Sequence, residues 1–259
     1  MSGTIERIAS RLAEFPQVAA VALAGSEGTG AADSLSDTDL YVYADSEIPV
    51  EARRAMAREF ADRVEIDNRF WEPGDEWIER ASGRGIDIMY RTPEWIEDQL
   101  ARVPERHEAS LGYSTCIWWN VLHSRALYDP AGWYAGLQHS ARRPYPAELR
   151  RAIIARNLPI LRDTISSYRR QIEAAIARGD WISVHHRANA LLASYWDILF
   201  ALNGETHPGE KRTAEFVRRL EKQPAGWEEA VEALLRRPSR ASVDQLVDGL
   251  ERLIGRDQL

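Results

Sequence analysis

Two aspartates separated by one residue, Asp37 and Asp39, stand at the start of a segment rich in β-branched and aromatic residues. Alternation along a strand would turn both carboxylates to one face, with their Cα atoms about 6.5 Å apart. A third aspartate, Asp87, interrupts the apolar segment 85–90. Carboxylate oxygens are the ligands that magnesium prefers, and a bound cation would offset both the repulsion within the pair and the burial of Asp87. The three carboxylates are therefore predicted to form a metal site.

Each part of this pattern also has an ordinary explanation. An Asp-x-Asp at a strand start can be a turn residue followed by an acid that faces a loop, and a single Asp in a strand can be a local exception. The combination is more specific: Gly25-Ser26 closes an apolar segment, a Gly-, Ser- and Asp-rich spacer follows, and Ser36-Asp37-Thr38-Asp39-Leu40 precedes the isolated Asp87.

The elements that must position these residues are mixed in the first hundred residues and helical afterwards. Apolar runs predict strands at 17–24, 39–44, 64–71 and 85–90, while period-3.6 patterns predict helices at 5–12, 51–63 and 92–103. Beyond residue 105, one short strand at 124–129 is followed by five predicted helices, at 147–178, 181–203, 211–222, 226–236 and 242–254. We predict an α+β fold: an α/β domain with a mixed sheet (1–104), then an all-α helical bundle domain (105–259).

Composition excludes several classes of protein. The 259 residues are 44% hydrophobic and 28% charged, which is typical of a globular chain. Cys116 is the only cysteine, so neither an intramolecular disulfide nor a multi-thiolate zinc site can form. Because no apolar run is long enough to span a bilayer and the N-terminus has no signal-peptide pattern, we expect a cytoplasmic protein without membrane partners.

The charge is unevenly distributed along the chain. Residues 1–104 carry 21 acidic and 11 basic side chains, whereas residues 105–259 carry 19 and 22. An acidic first half favours cations as partners and argues against a surface for nucleic acid, whose phosphates need clustered Lys and Arg.

At this point the sequence resembles a known family, the DNA polymerase β-type nucleotidyltransferase superfamily. The resemblance rests on GSEGTGAADSLSDTDLYVYA together with GIDIMY, and covers residues 17–90. The length and the helical second half are similar to small bacterial antibiotic nucleotidyltransferases of the aminoglycoside and lincosamide type. One departure is Glu27, which follows Gly-Ser where members often carry a small or basic residue.

The resemblance implies a reaction and roles for residues. Gly25 and Ser26, with Thr38 close by, would bind the phosphates of ATP or another nucleoside triphosphate. Asp37, Asp39 and Asp87 would hold two Mg²⁺ ions, and Asp87 could accept the proton of the acceptor hydroxyl. The product would be a nucleoside monophosphate, most simply AMP, on a small hydroxyl-bearing acceptor, with release of pyrophosphate.

Other assignments stay open at this stage. Lys211 and Arg212 lie at the start of the helix predicted at 211–222, where positive charge opposes the helix dipole. We predict that they bind the triphosphate; a solvated pair after a Pro-Gly turn is the alternative. An antitoxin-like or regulatory binding protein of the same fold, or a transferase acting on a protein or tRNA, is the alternative function. The sequence is compatible with a monomer or a homodimer.

Overall fold

The chain contains two compact units. The computed structural model describes residues 2–25, 36–70 and 72–257. The first unit comprises residues 1–100 and 120–143, and the second comprises residues 101–119 and 144–259. A division into domains after residue 104 stays a prediction, because a compact unit need not be a segment that folds alone.

The first unit is built on a six-stranded mixed sheet. Strands β2 and β5 are parallel, and all other neighbouring pairs are antiparallel. The spatial order is β3-β4-β5-β2-β1-β6. The strands are β1 (Val18–Leu23), β2 (Thr38–Ala44), β3 (Ala61–Asn68), β4 (Gly74–Glu79), β5 (Gly85–Arg91) and β6 (Arg125–Tyr128).

Helices cover one face of this sheet and part of the other. The helices in this part of the chain are α1 (Ser2–Leu12), α2 (Val50–Phe60), α3 (Pro93–Leu100), α4 (Cys116–His123) and α5 (Trp133–Ala141). Apolar residues of α1 and α2 share one buried core with Leu40 and Val42 of β2, which defines the helix-covered face. Because side chains alternate along a strand, Asp39, Tyr41 and Tyr43 point to the opposite face. There Tyr43 stacks on Tyr134 of α5, with 5.1 Å between ring centroids.

The second unit is helical. It contains a π-helix (Ala101–Glu105), the first turn of α4, and α6 (Ala147–Arg162), α7 (Tyr168–Ala177), α8 (Trp181–Asn203), α9 (Thr213–Val217), α10 (Trp227–Arg236) and α11 (Arg240–Asp257). The long helix α8 lies at its centre and shares a buried apolar core with α6, α7, α10 and α11. Its ends follow local rules: the Asp180 carboxylate accepts the Ser183 N–H, and Gly204 adopts the left-handed conformation that terminates helices.

The predicted fold class is confirmed, and several element bounds differ. The segment predicted as one helix at 147–178 forms α6 and α7, separated by a stretch of Asp, Thr and Ser, which favour turns and caps over helix interiors. The helix predicted at 211–222 is reduced to α9, and strand β4 was missed. None of the described helices is both long and apolar enough to span a bilayer. The cytoplasmic location stays a prediction.

Candidate functional site

Asp39 and Asp87 are neighbours across the parallel pair of strands. Asp39 of β2 lies in register with Asp87 of β5, just as Thr38 lies in register with Ile86. Neighbouring strands are about 4.8 Å apart, and register partners point to the same face of a sheet. Both aspartates are half-buried. The backbone therefore places these two carboxylates side by side on one face of the sheet.

Gly25 packs directly against Asp39. The Ala24 N–H donates to the Asp39 carbonyl oxygen at 2.9 Å, which continues the β1–β2 ladder up to this point. Gly25 then takes a φ of +60°, and a Cβ atom at this position would overlap Asp39 Oδ2. Both the left-handed conformation and the close approach require glycine. The end of β1 and the Asp39 carboxylate thus form one local arrangement.

Asp37 lies next to the same strand but packs against a different residue. A Cβ atom at Gly85 would lie 2.5 Å from Asp37 Oδ1, so the absence of a side chain at Gly85 makes room for this carboxylate. Asp37 is exposed. Asp37 immediately precedes β2, so its predicted place on the face of Asp39 stays a prediction.

The carboxyl oxygens suit magnesium, which takes oxygen ligands at about 2.0–2.1 Å. The pair Asp39 and Asp87 fits such an ion in donor type and in shared face, and the missing side chain at Gly25 makes room for the Asp39 carboxylate. As the side chains stand, however, no three His, Cys, Asp or Glu side chains form a metal-holding group within residues 2–25, 36–70 and 72–257. The backbone brings Asp39 and Asp87 together, and the assignment of Asp37, Asp39 and Asp87 as metal ligands stays a prediction.

Two further acidic residues continue the row across the sheet. Glu76 of β4 is the register partner of Asp87, and Glu65 of β3 is the register partner of Glu76. Four carboxylates on four adjacent strands therefore share one face. Asn68 Nδ2 donates to Glu76 Oε1 at 2.7 Å and orients that side chain. The sequence analysis did not place Glu76, because strand β4 was not predicted. The available signal was an alternation along the chain: Glu76 and Ile78 are exposed, whereas Trp77 and Glu79 are buried.

Arg91 occupies the same face further along β5. Its guanidinium donates to both carboxylate oxygens of Glu72, at 2.8 and 2.9 Å. It also lies over the Tyr41 ring, 4.1 Å from the centroid, and over the Trp95 ring at 4.9 Å. Burial raises the pKa of Tyr41 to about 12, so its hydroxyl stays protonated near neutral pH.

The remaining predicted site residues are placed as follows. Thr38 is buried on the helix-covered face, so a nucleotide contact from this residue would have to come from its main chain. Ser26 lies outside the described residues. Lys211 and Arg212 lie in the second unit, on the turn before α9. Lys211 is exposed and Arg212 is half-buried, and Arg212 adopts a φ of +56°. Their predicted role in binding triphosphate stays a prediction.

The second unit contains a buried polar cluster that the sequence did not indicate. Asp197 of α8, 1% exposed, accepts the Ser114 N–H at 3.0 Å and the Ser114 hydroxyl at 2.6 Å. Asn157 of α6 donates to the Ser110 carbonyl oxygen at 2.9 Å and accepts the Gly112 N–H. These bonds attach the segment 110–114 to two helices. Burial raises the pKa of Asp197 to about 6.

His207 and Cys116 lie beside each other in the same unit. His207 Nδ1 is 3.6 Å from the Cys116 Sγ and accepts the Gly209 N–H at 3.0 Å. Burial lowers the pKa of His207 to about 4 and raises that of Cys116 to about 12. A neutral imidazole and a protonated thiol do not make an activated nucleophile.

Comparison with known proteins finds likeness in structure but not in sequence. No protein-family model matches the chain, and no curated protein matches it in sequence. Among solved structures, the chain is similar to a nucleotidyltransferase-like protein from Exiguobacterium sibiricum 255-15, with 12% sequence identity and a TM-score of 0.45. The likeness covers 97% of this chain and 75% of that chain.

Proposed function

We propose that the protein is a magnesium-dependent nucleotidyltransferase. The observation that supports this most is the register of Asp39 with Asp87, beside a glycine that no other residue could replace without displacing Asp39. Two oxygen ligands on one face, next to a glycine whose main chain a phosphate could approach closely, combine a cation site with an anion site. That pairing is what a metal-bound triphosphate needs.

Each residue has a proposed role. The main chain at Gly25 binds phosphate oxygens, since glycine allows close approach. Asp39 and Asp87, with Asp37, hold Mg²⁺, which when bound supplies charge neutralisation at the triphosphate and lowers the pKa of the acceptor hydroxyl. Asp87 accepts the hydroxyl proton as the acceptor oxygen bonds to the α-phosphorus and the bond to the β-phosphate oxygen breaks. Pyrophosphate leaves, and the acceptor keeps the nucleoside monophosphate.

We further propose that ATP is the nucleotide and that the acceptor is small and cationic, such as an aminoglycoside. Glu76 and Glu65 extend the acidic row away from β2, about 10 and 15 Å from Asp39 at the spacing of neighbouring strands. Carboxylates at such distances lie beyond direct coordination of an ion held by Asp39. They instead attract ammonium groups of an acceptor. A lincosamide, which is less cationic, is the second choice.

The test is transfer to an acceptor. The full chain would be incubated with Mg²⁺, one of ATP, GTP, CTP or UTP, and a panel of aminoglycosides and lincosamides. Mass spectrometry would then detect acceptors that gain the mass of a nucleoside monophosphate. The proposal expects one modified acceptor class and no product without Mg²⁺.

Two variants make the result specific. Asp39→Asn should abolish the product, whereas Asp62→Asn, which removes an exposed carboxylate of β3, should leave it unchanged. A product formed equally well by Asp39→Asn would refute the proposed site. If no acceptor is modified, the proposal of a small-molecule transferase fails.

A further inference from the structure

Trp95 is an exposed aromatic side chain on the same face of the sheet as the candidate metal site. Its ring packs on the Arg91 guanidinium, with 4.9 Å between the guanidinium carbon and the ring centroid. Arg91 and Asp87 share a face because they lie four residues apart on β5. The Trp95 side chain is 36% exposed, whereas Trp77 and Trp118 are buried. An aromatic ring that is packed on one side and open to solvent elsewhere can stack on a ligand.

The guanidinium beneath Trp95 leans toward the candidate metal site. The register partner of Arg91 is Tyr43. The guanidinium nevertheless packs on the ring of Tyr41, two residues nearer to Asp39, at 4.1 Å from the centroid. It also donates to both carboxylate oxygens of Glu72, at 2.8 and 2.9 Å. The group on which Trp95 rests is therefore fixed, and it lies on the Asp39 side of its own position in the strand.

The helix that carries Trp95 is fixed as well. In the first turn of α3, the Trp95 N–H donates to Thr92 Oγ1 at 3.2 Å. Trp133 Nε1 of α5 donates to Glu97 Oε1 of α3 at 2.8 Å, and the Trp133 ring packs edge-on against Tyr43, with 5.3 Å between centroids. A ring held in this way loses little conformational freedom when a ligand stacks on it, which favours binding.

The distance between Trp95 and the metal site limits what can contact both. Asp87 and Arg91 are about 13 Å apart along β5 at the rise of a strand. Met89 lies between them on the same face and is half-buried. A ligand that reaches from Asp87 to the ring on Arg91 must therefore be longer than a single sugar ring.

We propose that Trp95 stacks on a ring of the acceptor, and that the acceptor consists of several linked rings that carry ammonium groups. This inference rests on the proposed function, which places the reacting hydroxyl at Asp87. The face of an indole ring attracts ammonium groups, so an amino-sugar ring suits Trp95. Ammonium groups on the remaining rings lie near the exposed carboxylates of Glu76 and Glu65, on the same face.

The test is calorimetric titration of the full chain at constant ionic strength. The probes are kanamycin and neomycin, which have several linked rings with amino groups, and glucosamine, which has one ring. Trp95→Leu should weaken binding of the first two by about tenfold and leave glucosamine binding unchanged. Trp95→Phe keeps an aromatic face and should stay within about threefold of wild type. Trp181→Leu, which removes a 54% exposed tryptophan of the second unit, is the matched control and should bind kanamycin as wild type does.

An NMR titration reports on the residue itself. The indole N–H signal of Trp95 is identified by its absence from the spectrum of Trp95→Phe. In the wild-type chain this signal should shift with kanamycin concentration along the calorimetric binding curve.

Two results would overturn the inference. One is the absence of saturable binding by both kanamycin and neomycin. The other is equal affinity of wild type and Trp95→Leu, which is expected if Trp95 only shields the pair of Arg91 with Glu72 from solvent. Binding that depends on Trp95 without any transfer of a nucleotide would support the inference about binding and refute the proposed reaction, so the two claims can fail separately.

Discussion

Gly25 and Asp39 lie so close together that a Cβ atom at residue 25 would overlap Asp39 Oδ2. The contact joins the end of β1 to the start of β2 and fixes the carboxylate that the proposed reaction requires most. A methyl group at residue 25 would displace Asp39 and also force alanine into a left-handed conformation.

Gly25→Ala should therefore lower the free energy of unfolding by about 1–2 kcal/mol from backbone strain alone, with a further loss from the clash. Gly3→Ala is the matched control, since nothing lies within 4 Å of a Cβ there and residue 3 is in α1. That change should be neutral or stabilising by up to about 1 kcal/mol. Urea unfolding of both variants measures the difference. Equal stabilities would show that the close approach at Asp39 is not real.

The acidic row predicts an effect of charge on stability. Like charges on neighbouring strands repel, so Glu76→Gln should raise the free energy of unfolding by a few tenths of a kcal/mol, up to about 1 kcal/mol, without divalent ions. The Asn68 N–H can still donate to the oxygen of a glutamine at residue 76. Glu221→Gln is an equal charge change at an exposed position and should have a smaller effect. Thermal unfolding at low salt tests this, and a destabilised Glu76→Gln variant would contradict the arrangement.

The buried ion pair between Arg53 and Asp75 gives a stronger prediction. Asp75 is 1% exposed, and burial raises its pKa although Arg53, Tyr90 and the Asp67 N–H all donate to it. Asp75→Asn leaves Arg53 buried beside a neutral partner, which typically costs about 3–5 kcal/mol.

The exposed pair of Arg80 with Asp62 is its control. Although Arg80 also donates to both carboxylate oxygens of Asp62, exposed pairs contribute about 0–1 kcal/mol. Guanidinium unfolding of Asp75→Asn and Asp62→Asn should separate the two by at least about 2 kcal/mol. Similar losses for both would mean that burial does not set the strength of these pairs.

Asp197 predicts a pH dependence with a definite sign. Its pKa rises from 3.8 to about 6 on folding, so the folded state retains the proton over this interval while the unfolded state has lost it. The contribution of Asp197 to stability is therefore full below pH 3.8 and is lost as the pH rises to about 6, by about 3 kcal/mol. The free energy of unfolding of wild type relative to Asp197→Asn should fall accordingly between pH 4 and pH 7. A flat difference would contradict burial of an ionised Asp197.

His207 predicts the opposite slope in the same interval. Its pKa falls from 6.5 to about 4, so the unfolded state takes up a proton first as the pH drops. The stability that the neutral imidazole contributes is lost between pH 6.5 and pH 4, by about 3 kcal/mol. The stability of wild type relative to His207→Gln should thus rise with pH between pH 4 and pH 6.5. A His207→Gln profile parallel to wild type would refute this account.

The sequence predicted the features that depend on residues close together in the chain, and missed those that depend on residues far apart in the chain. The pattern of apolar residues identified β1, β2 and β5 and the length of α8, because alternation and helical periodicity are local. It also predicted a strand that begins next to Asp37, at Thr38. The register of Asp39 with Asp87 could not be read from the chain, since pairing between strands that are far apart in sequence depends on the whole sheet. The row that adds Glu76 was missed for the same reason.

Other features of the two units depend on long-range pairs that no motif carries. Asp197 meets Ser114, 83 residues away in sequence, and Arg53 of α2 meets Asp75 of β4. Neither pair has a distinctive spacing. The prediction of one helix at 147–178 was wrong because the helical period continues on both sides of a short polar break.

The proposed reaction is tested most directly by pyrophosphate release from ATP in the presence of Mg²⁺ and the aminoglycoside panel. Wild type should release pyrophosphate in step with acceptor modification. Asp39→Asn and Asp87→Asn should each lower the rate of pyrophosphate release by at least about 100-fold. Unfolding curves of both variants should show that they are folded. Pyrophosphate release by either variant at the rate of wild type would contradict the central claim that these two carboxylates, in register across β2 and β5, form the catalytic centre.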